Sequence, residues 1–317
     1  MATRTEAGME MGTATGTAAG AEAGMETRTE AASASAPLPG RRPTAVQGLL
    51  GACHPLPAAA VTAMGTALGV ACGHSWQACA LVGLAVLSGQ LSIGWSNDWL
   101  DARRDLATGR TDKPVATGRV DPRAVACASA AALAACVPLS LATGLPSAAA
   151  HLFGVGGGWL YNLGLKRTIG SWLGYAMGFG SLPAFVVLAL PGHPWPAWWT
   201  LSAGALLGIG AHLANVLPDI PDDLATGVRG LPQRLGATGV RLLAPLPLLA
   251  GIAVLVFAPP GPAGAVGWSA LAAGAALTAA GIVRPARDSR SHAPFLTGIA
   301  VAAIAVALAF SRAAAMT

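Results

Sequence analysis

Charge is what this sequence lacks. Only 10% of its 317 residues are Asp, Glu, Lys or Arg, against about a quarter in a soluble domain, so an ordinary water-facing surface cannot be built from it. Aromatic residues are also few, at 5%. The five cysteines (Cys53, Cys72, Cys79, Cys127 and Cys136) fall in or beside apolar runs without metal-ligand spacing. That excludes a disulfide framework and leaves them as small buried helix residues. What is abundant is apolar: 54% hydrophobic residues and a mean hydropathy of +0.57. Long apolar segments exclude a disordered or collagen-like chain, and lipid must cover most of the surface. The net charge of +5 and pI near 9.3 would suggest nucleic acid in a soluble protein. Here the basic residues lie between apolar runs, so no nucleic-acid partner is expected, and orientation in a bilayer explains them better.

Residues 1–45 are a low-complexity tract of Ala, Gly, Thr and Glu, in which Thr3-Arg4-Thr5-Glu6-Ala7 recurs as Thr27-Arg28-Thr29-Glu30-Ala31. With almost no Leu, Ile or Val it cannot collapse, and it lacks the apolar core of a signal peptide. It reads as a disordered cytoplasmic tail. From residue 46 to 317 the composition predicts one transmembrane domain. Nine apolar runs, about 46–73, 76–96, 122–144, 147–163, 170–190, 197–217, 239–258, 264–283 and 293–311, each approach the ~20 residues that span a hydrocarbon core. Only helices satisfy their own backbone there, so the expected fold is all-α, a multi-pass bundle of about nine transmembrane helices. Gly154, Gly156, Gly157 and Gly158 predict either a very tight helix contact or a flexible stretch. With nine spans, 18 of the 19 Lys and Arg fall on one side and only Arg312 on the other. The positive-inside rule then makes the tail and the even-numbered loops cytoplasmic in a cell-membrane protein.

The carboxylates carry the functional signal. Outside the tail and Asp288, all of them follow the second span (Asp98, Asp101, Asp105, Asp112, Asp121) or the sixth (Asp219, Asp222, Asp223). On a continuing helix, Asn97, Asp101 and Asp105 stand at i, i+4, i+8, with Asp98 on the same face. Asn215, Asp219 and Asp223 repeat that spacing, although Pro221 is expected to interrupt a regular helix. Two carboxylate-rich helix ends beside a bilayer repel one another and lose hydration. A hard divalent cation relieves both, and Mg²⁺ takes oxygen ligands shared with substrate phosphates. The expected chemistry is therefore Mg²⁺ holding a diphosphate. Lys113, Lys166 and Arg167 are the preferred phosphate contacts, with Arg104 and Arg110 near the same surface, and the loop after the second span acts as a lid. His212, three residues before Asn215, is placed to face the cavity.

The tract Asn97-Asp98-x-x-Asp101-x-x-x-Asp105, the segment Thr111 to Val120, the Tyr161–Arg167 stretch and Asp219-x-x-x-Asp223 together resemble the motifs of the UbiA superfamily of intramembrane prenyltransferases. The resemblance implies nine transmembrane helices around a central cavity and Mg²⁺-dependent transfer of an isoprenyl group from a prenyl diphosphate to a small acceptor, often aromatic. It implies that Asn97, Asp98, Asp101, Asp105, Asp219 and Asp223 chelate the metal. Lys113, Lys166, Arg167, Arg104 and Tyr161 would bind the diphosphate, and Asp98, Asp101 and Lys166 would be catalytic. Other readings are a terpene cyclase of the same superfamily, whose cation is captured by the substrate's own double bonds, and an ion-coupled transporter. The transporter predicts ionisable residues near mid-span, whereas these lie at span ends. The motif of CDP-alcohol phosphotransferases is not present in the sequence.

Overall fold

A computed structural model of the chain describes residues 45–283, 293–312 and 315–316, and within them all regular structure is helical. In order these are α1 (Ala45–Ala52), α2 (Pro55–Ala71), α3 (Trp76–Ala107), α4 (Pro122–Leu141), α5 (Leu145–Leu163), α6 (Trp172–Leu188), α7 (Trp198–Val216), α8 (Ile220–Ala225), α9 (Leu231–Leu243), α10 (Pro245–Phe257), α11 (Gly264–Val283) and α12 (Ala293–Ser311). Single 3-10 turns cover Leu165–Arg167 and Leu217–Asp219. Residues 1–44 of the expected tail (1–45), the basic segment Arg284 to Arg290 and Asp288 lie outside the described residues, and Ala45 opens α1.

Helix occupies each apolar run, with three departures from the simple reading. The first run is broken: α1 stops before Cys53-His54, His54 takes a left-handed φ of 54°, and Pro55 restarts the helix with a φ already suited to a first turn. The second run, expected to end at 96, continues as regular helix to Ala107 and so carries the first acidic tract on a rigid rod. The seventh run divides where Pro245 opens α10, at a bend of 47° from α9. Among the described residues three helices are long and apolar enough to cross a membrane (Trp76–Ala107, Pro122–Leu141 and Trp198–Ala225), and the bent pair α9–α10 makes a fourth if taken as one span. Pro55–Ala71, Trp172–Leu188, Gly264–Ala280 and Leu296–Ala309 are shorter apolar helices.

Small residues set the helix spacing, as they do where no water drives association. The Gly-rich stretch of α5 is continuous helix in tight contact with α6. A Cβ on Gly154 would strike Ser181 Oγ, and one on Gly157 would lie 3.0 Å from the Gly174 carbonyl. The seam continues into α7, where a Cβ on Gly208 would lie 2.5 Å from the Tyr175 carbonyl. On α3, Gly94 lets the carbonyl of Cys53 approach so closely that any Cβ would collide with it, which fixes the α1–α2 break against α3. The apolar core gathers Val82, Phe185, Val186, Trp199, Ile252 and Leu255 from α3, α6, α7 and α10. Conversely, Trp76, Leu145 and Trp195 are 77%, 73% and 81% exposed, which a protein tolerates when lipid covers it. The cysteines are free. Cys53, Cys79 and Cys136 are buried and Cys72 half-buried, but Cys127 is exposed on α4, because Ala-rich α4 has an outward face that composition alone does not reveal.

Candidate active site

The end of α3 supplies the first half of the site. Asn97, Asp101 and Asp105 share a face as the i, i+4 spacing requires, and Asp98, Asp101 and Asp105 are only 1%, 3% and 3% exposed. Buried carboxylates need cations or hydrogen-bond donors, and each has found one. Asp101 accepts from Lys166 Nζ at 2.6 Å through both oxygens, from Arg104 Nη2 at 2.9 Å and from Asn97 Nδ2 at 3.3 Å. Asp98 Oδ1 accepts from Lys113 Nζ at 2.7 Å and lies 3.0 Å from His54 Nε2. Arg104 Nε lies 3.7 Å from Asp105 Oδ1.

Lys113 arrives from the loop 108–121 between α3 and α4, the segment expected to act as a lid. The loop is seated by Val115 and Val120, which are buried against Ala52 of α1 and Val125 of α4. Asp121 ends it by capping α4, accepting from Arg123 N at 2.7 Å. Within it Arg110 forks onto Asp112 at 2.8 and 2.7 Å, and that guanidinium holds the Asp112 carboxyl down at about 2. Its third donor crosses to Asp219 Oδ1 at 2.8 Å. Lys166 comes from the 3-10 turn after α5, where burial pulls its ammonium below the ordinary lysine value against the attraction of Asp101.

The second acidic tract is not a copy of the first. Helix α7 ends at Val216, a 3-10 turn covers Leu217–Asp219 and α8 begins at Ile220, so the tract is not one regular helix, yet Asn215, Asp219 and Asp223 still open onto one space. Asn215 donates to the Tyr175 hydroxyl at 3.0 Å. Asp223 is buried, accepting from Gln233 Nε2 at 2.7 Å and lying 3.2 Å from Arg104 Nη1. Asp219 is the outer member, its side chain 40% exposed. Arg104 thus touches Asp101 and Asp223 at once, and Arg110 ties the loop to Asp219, so the two tracts face each other across one space.

That space is a cavity of about 640 Å³. Asn97, Asp101, Lys113, Lys166, Asp219 and Asp223 line its polar end, and Met64, Val86, Phe179, Leu182 and Val306 its apolar depth. Tyr161 also lines it, edge-on to Tyr175 with centroids 5.5 Å apart. Among the described residues no three His, Cys, Asp or Glu side chains stand close enough together to hold a metal ion, since protein cations separate the carboxylates. The donor set still fits a hard cation. The oxygens of Asn97, Asp101, Asp219 and Asp223 converge on one cavity, and behind them Asp98 Oδ2 is buried without a hydrogen-bond partner, an acceptor left unsatisfied next to the site.

Several expectations are corrected. Arg167 is exposed and does not line the cavity, because the turn that buries Lys166 swings its neighbour outward. Asp98 and Asp105 are buried behind the lining rather than in it. His212 is fully buried beside Ser171 Oγ at 3.0 Å and does not line the cavity. Arg110, expected near this surface, bridges to the second tract. Three residues at the site were not singled out by sequence. His54 reaches Asp98 across 44 residues. Gln233 holds Asp223. Asn162 accepts from Asn97 Nδ2 at 3.1 Å while donating to Ile93 O and Ser96 Oγ. The one advance signal was Asn162's place in the Tyr161–Arg167 tract.

Comparisons with known proteins agree with this geometry. The sequence model of the UbiA prenyltransferase family matches residues 58–304. A protein of Mycobacterium tuberculosis (strain ATCC 25618 / H37Rv), named 1,4-dihydroxy-2-naphthoate octaprenyltransferase, is 32% identical over 261 residues, covering 75% of this chain and 86% of that protein. The fold is similar to that of a UbiA homolog from Archaeoglobus fulgidus bound to GPP and Mg²⁺, with a TM-score of 0.66 at 15% identity over 84% of this chain and 99% of the other. It is also similar to that of an apo UbiA homolog from Aeropyrum pernix K1, with a TM-score of 0.64 at 17% identity over 78% and 96%. An all-helical bundle with two acidic helix ends facing one cavity, and a family match over most of its length, make this chain a membrane prenyltransferase belonging to the UbiA family.

Proposed function

We propose that the chain transfers an isoprenyl group from a prenyl diphosphate to a hydroxylated aromatic acceptor within the membrane. The observation that carries the reading is Arg104, which joins Asp101 to Asp223 and so makes two distant acidic tracts one site. The name of the M. tuberculosis relative supports a bicyclic hydroxy-acid as acceptor.

In this reading Asn97, Asp101, Asp219 and Asp223, which line the cavity, would hold Mg²⁺, with Asp98 and Asp105 behind them. Bound there, the metal supplies Lewis-acid neutralisation of the leaving diphosphate. Lys166, Lys113, Arg104 and Arg110 add fixed positive charge where negative charge develops as the allylic C–O bond breaks, and Asp98 and Asp101 keep Lys113 and Lys166 aimed. The apolar wall of Met64, Ala302 and Val306 takes the isoprenyl chain and excludes water from the allylic cation. The electron-rich acceptor ring attacks that cation and then loses a proton. Purified protein in lipid nanodiscs should release one diphosphate per prenylated 1,4-dihydroxy-2-naphthoate formed, only with Mg²⁺ present. Diphosphate release without any aromatic acceptor, accompanied by a cyclic hydrocarbon, would favour the cyclase reading instead.

The basic residues gathered at the carboxylate end, against Arg312 alone among described residues at the other, support a cytoplasmic site. There Arg312 Nη2 donates to the Pro262 carbonyl at 2.8 Å. In a Thr117→Cys variant of a cysteine-free protein, an impermeant maleimide is expected to react in inverted vesicles and not in intact cells; the reverse pattern would refute the orientation.

A further inference from the structure

The inner part of the cavity is not uniformly apolar. Gln90 of α3 and His151 of α5 line it beside Val86, Val155 and Leu182. Gln90 stands seven residues before Asn97 on the same helix, two turns or about 10 Å further in. Neither its amide nor His151 Nε2 has a hydrogen-bond partner among the described residues, although His151 is only 7% exposed. The other edge of the imidazole is fixed. Ser140 Oγ lies 2.7 Å from His151 Nδ1 and spends its one proton on the Cys136 carbonyl, also at 2.7 Å. Nδ1 is therefore the donor in that contact, and Nε2 presents a lone pair. The ring is held flat against Phe185, with centroids 4.4 Å apart.

Gln90 is half-buried, and both polar groups open onto a mostly apolar cavity wall. A group without a partner there is unfavourable once water is displaced, and an isoprenyl tail has nothing to offer one. A ligand complementary to this depth carries a polar atom there. We infer that Gln90 and His151 form the distal subsite for the aromatic acceptor, receiving a ring hydroxyl that donates to His151 Nε2 and accepts from the Gln90 amide. Held at that end, the acceptor turns a defined ring carbon toward the allylic carbon beneath the diphosphate. The isoprenyl tail follows the wall of Met64, Ala302 and Val306 on α2 and α12. The assignment rests on the acceptor being aromatic and hydroxylated, as proposed above.

The test compares 1,4-dihydroxy-2-naphthoate with 1-hydroxy-2-naphthoate and 4-hydroxy-2-naphthoate, in the full chain and in Gln90→Leu and His151→Phe variants. Acceptor KM, and prenyl diphosphate affinity by direct binding, are both measured. Each variant is expected to raise the KM for the dihydroxy acceptor about tenfold, the scale of one lost buried hydrogen bond. Diphosphate affinity should stay within about twofold, which also shows that the variant is folded. The parent protein should discriminate against one of the monohydroxy acceptors by a similar factor, and the variants should lose that discrimination, as coupled partners do. If a variant does not fold, Gln90→Met replaces it under the same criteria. Discrimination retained in full by the variants overturns the subsite while leaving the prenyltransferase reading intact. A parent protein that prenylates no aromatic acceptor overturns that reading and this assignment with it.

Discussion

Asp101→Ala is expected to lower kcat/KM for the prenyl diphosphate by at least about a thousandfold, with the protein still inserted in the membrane. The size follows from what one side chain does. Asp101 accepts hydrogen bonds from Lys166, Arg104 and Asn97, so its loss releases two cations and an amide from the positions in which they face the cavity. Removing a single preorganised electrostatic contact from an active site costs about 10²–10³ in rate, and here three groups lose alignment together with a proposed metal ligand. The assay is diphosphate release under single-turnover conditions. Activity within about tenfold of the parent would remove Asp101 from the site. Asp219→Ala should inactivate less completely, because its carboxylate is the outer and more exposed one.

The second expectation separates stability from catalysis at the same contact. Lys166 is 5% exposed, with its ammonium 2.6 Å from both oxygens of Asp101. Deleting one partner of a buried pair strands the other charge, at a cost of about 3–5 kcal/mol, whereas replacing both with apolar groups is often close to neutral. Asp101→Leu alone should therefore lower the thermal midpoint in detergent by several degrees, and adding Lys166→Met should recover most of that loss. Neither protein should turn over substrate. A double variant no more stable than Asp101→Leu would mean that Arg104, not Lys166, holds the charge balance. Lys166→Arg should not restore activity, since a planar guanidinium does not fit a pocket shaped around a compact ammonium.

The sequence was informative where structure is periodic and local. Apolar runs located the helices, and the first acidic tract was legible because α3 remains one regular helix through Asp105. The second was legible in that Asn215, Asp219 and Asp223 line one cavity, but not in its local path, where a 3-10 turn over Leu217–Asp219 interrupts the helix. Arg167 was indistinguishable from Lys166 until the turn put them on opposite sides. His54 and Gln233 could not be found, because nothing along the chain announces that a kink after α1 meets α3, or that α9 folds back on α8. Gln90 was invisible for a similar reason, and His151 stood out only as an ionisable residue within a span. One polar residue in a helix is unremarkable, and only the cavity makes two of them neighbours of a substrate.

The glycine seam that locks α5, α6 and α7 together has a consequence for reading natural variants. Substitutions at Gly154, Gly157 or Gly208 would jam backbones that pack without side chains between them, so less protein would reach the bilayer while each surviving copy worked normally. A survey scored on cellular phenotype alone would count these positions as catalytic. Quantifying abundance alongside turnover per molecule tells the two defects apart.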